Sequence, residues 1–155
     1  MTSQITYEMS GGKKLKVIAC VDERNGMLFN HRRQSRDQTV TEKIQELCQG
    51  KILWMNEYSS SLYGNMHGVT VQCHENLPDQ AESGDFALME TVDPGNYKER
   101  TEELILFCWN RIYPAQLFMT LDLSEWKQTE ELEFEGTSHE KITMKKYIPY
   151  QNRTE

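Results

Sequence analysis

No stretch of this 155-residue sequence approaches the ~18 uninterrupted apolar residues that a membrane-spanning helix requires, and no membrane association is expected. Residues 1–12 are polar and lack the apolar segment of a secretory signal, so they read as a flexible leader. Basic residues are scarce: 17 Lys and Arg stand against 24 Asp and Glu, a formal charge of −7, which argues against broad binding to nucleic acid or anionic membranes. The four cysteines (Cys20, Cys48, Cys73, Cys108) form neither a CxxC knuckle nor a disulfide framework; they read as reduced core thiols of a cytoplasmic protein. Of the four histidines (His31, His67, His74, His139) none lies two residues from another, and no metal site is expected. Repeats and low-complexity linkers are absent. One domain over residues 13–150 remains, with 151–155 as a tail; a chain of this length buries roughly 68–70% of its unfolded surface.

What is present is best seen in Val17-Ile-Ala-Cys-Val-Asp-Glu-Arg-Asn-Gly-Met-Leu-Phe-Asn30. An apolar strand runs into an acidic, Gly-containing loop that re-enters with Met27, Leu28 and Phe29, folding back over a sheet as the wall of a ligand pocket. Residues 15–21 are apolar at nearly every position, as in a central strand covered on both faces. Val40, Ile44, Leu47 and Cys48 give residues 37–49 helical spacing, with Gly50 ending the helix. Residues 51–55 read as a strand, 56–63 as a short helix stopped by Gly64, and 69–73 as a third strand broken at Leu77-Pro78. A strand at 85–90 and a turn at Asp93-Pro94-Gly95-Asn96 follow, then about two helical turns over 96–103. The apolar run 104–109 and a short extended piece at 118–121 come next. Residues 130–135 and 140–148 pair as an antiparallel hairpin, with Leu132 and Phe134 sharing one face and Ile142 and Met144 another. Alternating strands and helices imply parallel pairing with right-handed crossovers. The expected fold is α/β, a mixed, mainly parallel sheet with a C-terminal antiparallel hairpin and helices on both faces.

Four clusters carry candidate chemistry. His31-Arg32-Arg33-Gln34-Ser35-Arg36-Asp37 is either an anion site, built from bidentate arginines and a helix dipole, or a solvated loop. Trp109-Asn110-Arg111 ends a buried strand, where open α/β sheets place ligands; Trp109 either stacks on a flat ring or fills the core. Cys73-His74-Glu75 reads as a core cysteine beside an exposed histidine, because adjacent strand residues face opposite ways. Ser138-His139 sits at the hairpin tip as turn-forming residues, with no acid placed by sequence to complete a nucleophilic triad. The acidic run 122–135 reads as a solvated sheet edge.

The order of these elements, with their residues, resembles dihydrofolate reductase. The opening Val-Ile-Ala-Cys-Val-Asp-x-x-x-Gly-Met-x-Phe-Asn is similar to that family's first strand and loop. Gly50-Lys-Ile-Leu-Trp-Met-Asn-Glu-Tyr-Ser-Ser-Ser-Leu-Tyr-Gly64 is similar to its strand-turn-helix, residues 104–109 with Phe118 to its late strand, and residues 131–147 with Ser138-His139 to its final hairpin. The resemblance spans about two-thirds of the chain, and its departures bear on function. Gln34 stands where the family carries its catalytic carboxylate, and Asp37 substitutes only if the helix begins late. Glu90-Thr91-Val92 replaces the Gly-Gly pair that approaches the cofactor pyrophosphate, and Asn56-Glu57-Tyr58-Ser59 replaces the Arg-Thr phosphate contact. Carboxylates thus stand where phosphates would rest, and no cofactor is expected. The leading expectation is a domain of this fold without reductase activity, binding a small anionic or flat heterocyclic ligand through Asp22, Phe29, Arg32, Arg33, Gln34, Asn56 and Trp109. A divergent NADPH-dependent reductase with Asp37 as its acid is the alternative. The Asn-Gly-Met-Leu-Phe-Asn-x-Arg-Arg-Gln-Ser pattern also resembles short bacterial chains labelled ribonuclease Z. That activity would need His-x-His-x-Asp-His to hold two zinc ions, and the motif is absent.

Overall fold

A computed structural model describes residues 13–150 of the chain. Strand β1 (Leu15–Val21) lies at the centre because its side chains are wanted on both faces: Leu15, Val17, Ala19 and Val21 enter one apolar layer and Ile18 the other. It pairs in parallel with β6 (Phe86–Leu88) on one side and β7 (Thr101–Cys108) on the other. The full seven-stranded order is β5 (Thr70–Cys73), β4 (Ile52–Met55), β6, β1, β7, β10 (Ile142–Pro149), β9 (Trp126–Phe134). The first five strands are parallel, and β10 runs antiparallel to both β7 and β9. This is the mixed α/β sheet with a terminal hairpin that the sequence implies. Most of β9 is exposed on its solvent edge, where Glu130, Glu131 and Glu133 stand.

Helices cover both faces. α1 (Gln38–Leu47) buries Val40 and Ile44 against Leu53, Phe107 and Met144, and α2 (Glu57–Tyr63) adds Tyr63 to the same layer. On the opposite face α3 (Leu77–Gln80), with Pro78 in its first turn, buries Leu77 beside Val17 and Ala87. Asp37 and Asn56 are the N-caps of α1 and α2, accepting from the amides of Thr39 and Ser59. Pro78, a strand breaker by sequence, here sits in the first turn of a helix.

Three expectations change. The loop after β1 is a strand, β2 (Gly26–Phe29), in a separate ribbon with β3 (Arg32–Arg33) and β8 (Leu117–Phe118). Asn30 (φ 53°) and His31 (φ 62°) make a two-residue turn with both φ positive, which matches the twist of a tight hairpin. The helix expected at 96–103 is a 3-10 segment, Pro94–Arg100; Tyr97 breaks its regularity, and Thr101 already pairs with Leu15. The extended piece expected at 118–121 is a strand only at Leu117–Phe118, with Met119 N donating to the Asn25 carbonyl (2.8 Å) beyond it.

Candidate functional site

In open α/β sheets the crevice at the carboxyl ends of the strands is where ligands sit. Here a buried ion pair stands beyond the end of β6. Glu90, two residues past β6, accepts from Arg33 Nε (2.8 Å) and Nη2 (2.9 Å) and from Ser59 Oγ (2.7 Å). The guanidinium lies over the Tyr58 ring at 4.4 Å and near Tyr63 at 5.7 Å. Arg33 keeps 18% of its side-chain surface and Glu90 only 6%. Burial alone would lower the guanidinium, but its hydrogen bonds and attraction to Glu90 outweigh that and raise it. Glu90 is therefore no bare carboxylate: it is a neutralised member of a closed network.

Beside this pair lies an open concavity of about 570 Å³, lined by Phe29, Asn30, Arg32, Arg33, Gln34, Tyr113 and Pro114. A second of about 480 Å³ adjoins it across Arg32 and Arg33 and adds Ser35, Arg36 and Tyr58. Among the described residues Arg32 and Arg36 carry no ion pair. Beneath the first concavity Asp22 closes the β1–β2 turn, accepting from the amides of Arg24, Gly26 and Tyr113 and from Gln34 Nε2 (3.0 Å). Burial pushes the Asp22 carboxyl up; these donors overcome it and hold it below its ordinary value. Because Gln34 Nε2 serves two acceptors, Asp22 and the Pro114 carbonyl, its Oε1 is left buried without a partner.

On the other side of the arginines, the start of α1 and the hairpin tip meet at Asp37. The carboxylate accepts from Thr39 N, Thr137 N and Oγ1, Ser138 N and Oγ, and His139 Nδ1 (3.0 Å). Burial opposes its ionisation, but the Thr137 and Ser138 amides, His139 and the Thr39 amide hold it far below the usual carboxylate range. Gly136 permits the approach, since a Cβ there would lie 2.5 Å from Asp37 Oδ2. The His139 ring stacks on Trp109 (centroids 4.7 Å apart, 22° between planes), and its Nε2 meets Ser35 Oγ at 3.0 Å and Tyr113 Oη at 3.1 Å.

Of the residues singled out from sequence, Phe29, Arg32, Arg33 and Gln34 share one concavity, with Asp22 bonded beneath it. Asn56 instead caps α2 and donates to Thr91 Oγ1 (2.6 Å). Trp109 lines a separate concavity with Glu23, Asn110 and Arg111. α1 does begin late, at Gln38, but Asp37 turns to the hairpin tip, and its own carboxylate takes the helix-end amide that an anion would have used. Cys73 is exposed rather than buried, like its neighbour His74, while Cys48 is buried with its thiol pushed up to about 12. The acid that Ser138-His139 lacked in sequence is Asp37, 102 positions earlier, and the serine on Nε2 is Ser35, not Ser138. The only sequence signal for it was the coincidence of a helix cap and a hairpin tip in a fold that juxtaposes them. Among the described residues no three His, Cys, Asp or Glu side chains group as metal ligands, and no helix is long and apolar enough to cross a membrane.

No protein-family model matches the chain, and no curated protein matches it by sequence. Among solved structures it is similar to a dihydrofolate reductase from Enterococcus faecalis complexed with NADP(H) and RAB-propyl, with a TM-score of 0.65 at 12% identity over 89% of this chain and 97% of that one. The likeness establishes a dihydrofolate reductase-like fold. The resemblance to chains labelled ribonuclease Z gains no support from it.

Proposed function

We propose that this dihydrofolate reductase-like domain has given up reduction and binds a small anion-bearing ligand, with Arg32 and Arg36 as its charge partners. The observation that carries the reading is the Arg33–Glu90 pair, which sets a closed ion pair just past the end of β6 and leaves Arg32 and Arg36 as the open cations beside it. NADP(H), present in the similar structure, fits this chain poorly. The Glu57 amide at the start of α2 already donates to Glu75 Oε2 (2.9 Å), so a phosphate there would meet a carboxylate. Glu90-Thr91-Val92 offers side chains where a pyrophosphate wants close backbone. Asp37, held ionised by its donors, has no proton to give in the physiological range, which weighs against the divergent-reductase alternative. The two guanidiniums without an ion-pair partner among the described residues favour a carboxylate or phosphate.

The test has two arms. Purified protein with NADPH and dihydrofolate is expected to show no NADPH oxidation. Calorimetric titration with succinate and with inorganic phosphate is expected to show binding that weakens roughly tenfold or more, about 1.4 kcal/mol, in the Arg32→Ala/Arg36→Ala protein. Steady NADPH turnover sinks the first half of the reading, and titrations flat for both probes sink the second.

A further inference from the structure

The contacts around His139 have a direction. Ionised Asp37 is an acceptor only, so the hydrogen shared at 3.0 Å belongs to His139 Nδ1, and the lone pair of the neutral ring lies on Nε2. Ser35 Oγ stands 3.0 Å from that lone pair. The His139 side chain is only 3% exposed, held by Trp109 on one face and by Asp37 at its inner nitrogen, so bulk water is largely kept from it. Ser35 itself is half-buried and opens onto the concavity bounded by Arg32, Arg36 and Tyr58. Ser138 is spent elsewhere, its hydroxyl bonded to the Arg36 carbonyl and to Asp37.

We propose that Ser35, His139 and Asp37 are a nucleophile, base and orienting acid that hydrolyse a carboxylic ester carrying an anionic group. The anionic character of the substrate rests on the binding reading above; the serine chemistry rests on the geometry alone. Ser35 Oγ attacks the ester carbonyl carbon while His139 Nε2 takes the hydroxyl proton, and the carbonyl π pair moves onto oxygen. That pair returns as the carbon–alkoxy bond breaks, and the departing alcohol oxygen takes the proton from Nε2. Water then adds to the acyl-Ser35 carbon, giving a proton to Nε2. The acyl–Oγ bond breaks and Oγ recovers that proton. One ester and one water become one acid and one alcohol. Asp37 stays ionised throughout and fixes the ring tautomer. Tyr113, whose hydroxyl shares Nε2 at 3.1 Å, is a positioning residue that holds the ring while Ser35 turns to substrate.

The full chain is treated with a fluorophosphonate and mapped by mass spectrometry, and its hydrolysis of mono-4-nitrophenyl succinate and of 4-nitrophenyl acetate is followed by nitrophenolate release. The expected result is a single adduct on Ser35 and a preference for the succinate. Ser35→Ala should lose the adduct and at least a hundredfold in rate, a floor well below the roughly millionfold loss on removing an optimised serine nucleophile, with an unchanged circular dichroism spectrum. His139→Gln should slow labelling of Ser35. No adduct, an adduct on Tyr113 or Ser138, or hydrolysis by Ser35→Ala at the wild-type rate overturns the proposal. Succinate binding to Ser35→Ala separates the two readings. Binding without Ser35 chemistry leaves the anion site and removes the reaction. Ser35 labelling with no succinate binding and a preference for the acetate ester overturns the anionic substrate class.

Discussion

Arg32 and Arg33 are neighbours in sequence and opposites in setting. The alternation of β3 turns one guanidinium to solvent and the other onto Glu90, 57 positions away. Removing one partner of such a pair leaves a buried charge uncompensated. Glu90→Gln is therefore expected to cost about 3 kcal/mol in urea unfolding, and Arg33→Met/Glu90→Leu to recover most of it. A double variant as unstable as the single one would show that the pair is not what Glu90 contributes. Sequence singled out both residues and missed that they meet. It read Glu90 as a repulsive charge at a phosphate site, because only the fold reveals the arginine that neutralises it. Asp37 and His139 were missed as a pair for the same reason: each has a local reading, helix start or hairpin tip, that is complete without the other.

Among elements, the contact between the hairpin tip and α1 sets the geometry of Ser35 and His139. Its clearance is too narrow for a Cβ: at Gly136 that atom would meet Asp37 Oδ2 at 2.5 Å and Ile142 Cδ1 at 2.7 Å. Gly136→Ala is expected to cost about 1–3 kcal/mol, as overpacking does, and to lower the urea midpoint by lifting the tip off Asp37. An unchanged midpoint would show that the tip relaxes freely. Gly26 is as tight, with Ala115 Cβ and Gln34 Nε2 each 2.7 Å from its added atom, so Gly26→Ala should disturb the first concavity and weaken succinate binding in the same titration. Elements with a strong period were legible: β1 and α1 fall close to where apolar spacing puts them, and the terminal hairpin is present, although β9 begins at Trp126 and not at residue 130. The β2–β3–β8 ribbon was not, since strands of two to four residues are too short to show a period and depend on pairing across distant chain.

Across the whole molecule, Asp22 and Asp37 tie separate parts of the chain together as carboxylates, and both are held below the ordinary value of 3.8. A group depressed on folding contributes stability that is fully present above its unfolded value and lost as pH falls towards its folded one. The urea midpoint should thus be lower at pH 3 than at pH 7, and Asp37→Asn should narrow that gap while lowering the midpoint at pH 7. Equal midpoints at the two pH values would deny these carboxylates their role. The topology was readable because alternating strand and helix signals admit few arrangements; the Arg33–Glu90 pair was not, because it joins side chains and not elements. One feature of the sheet reaches into the life of the molecule before it is finished. β10 slots between β7 and β9, both of which leave the ribosome ahead of it. At roughly 5–20 residues per second, each nascent copy passes a few seconds with the rim of β7 bare, a window in which chaperone capture or pairing with a neighbouring nascent copy competes with completion.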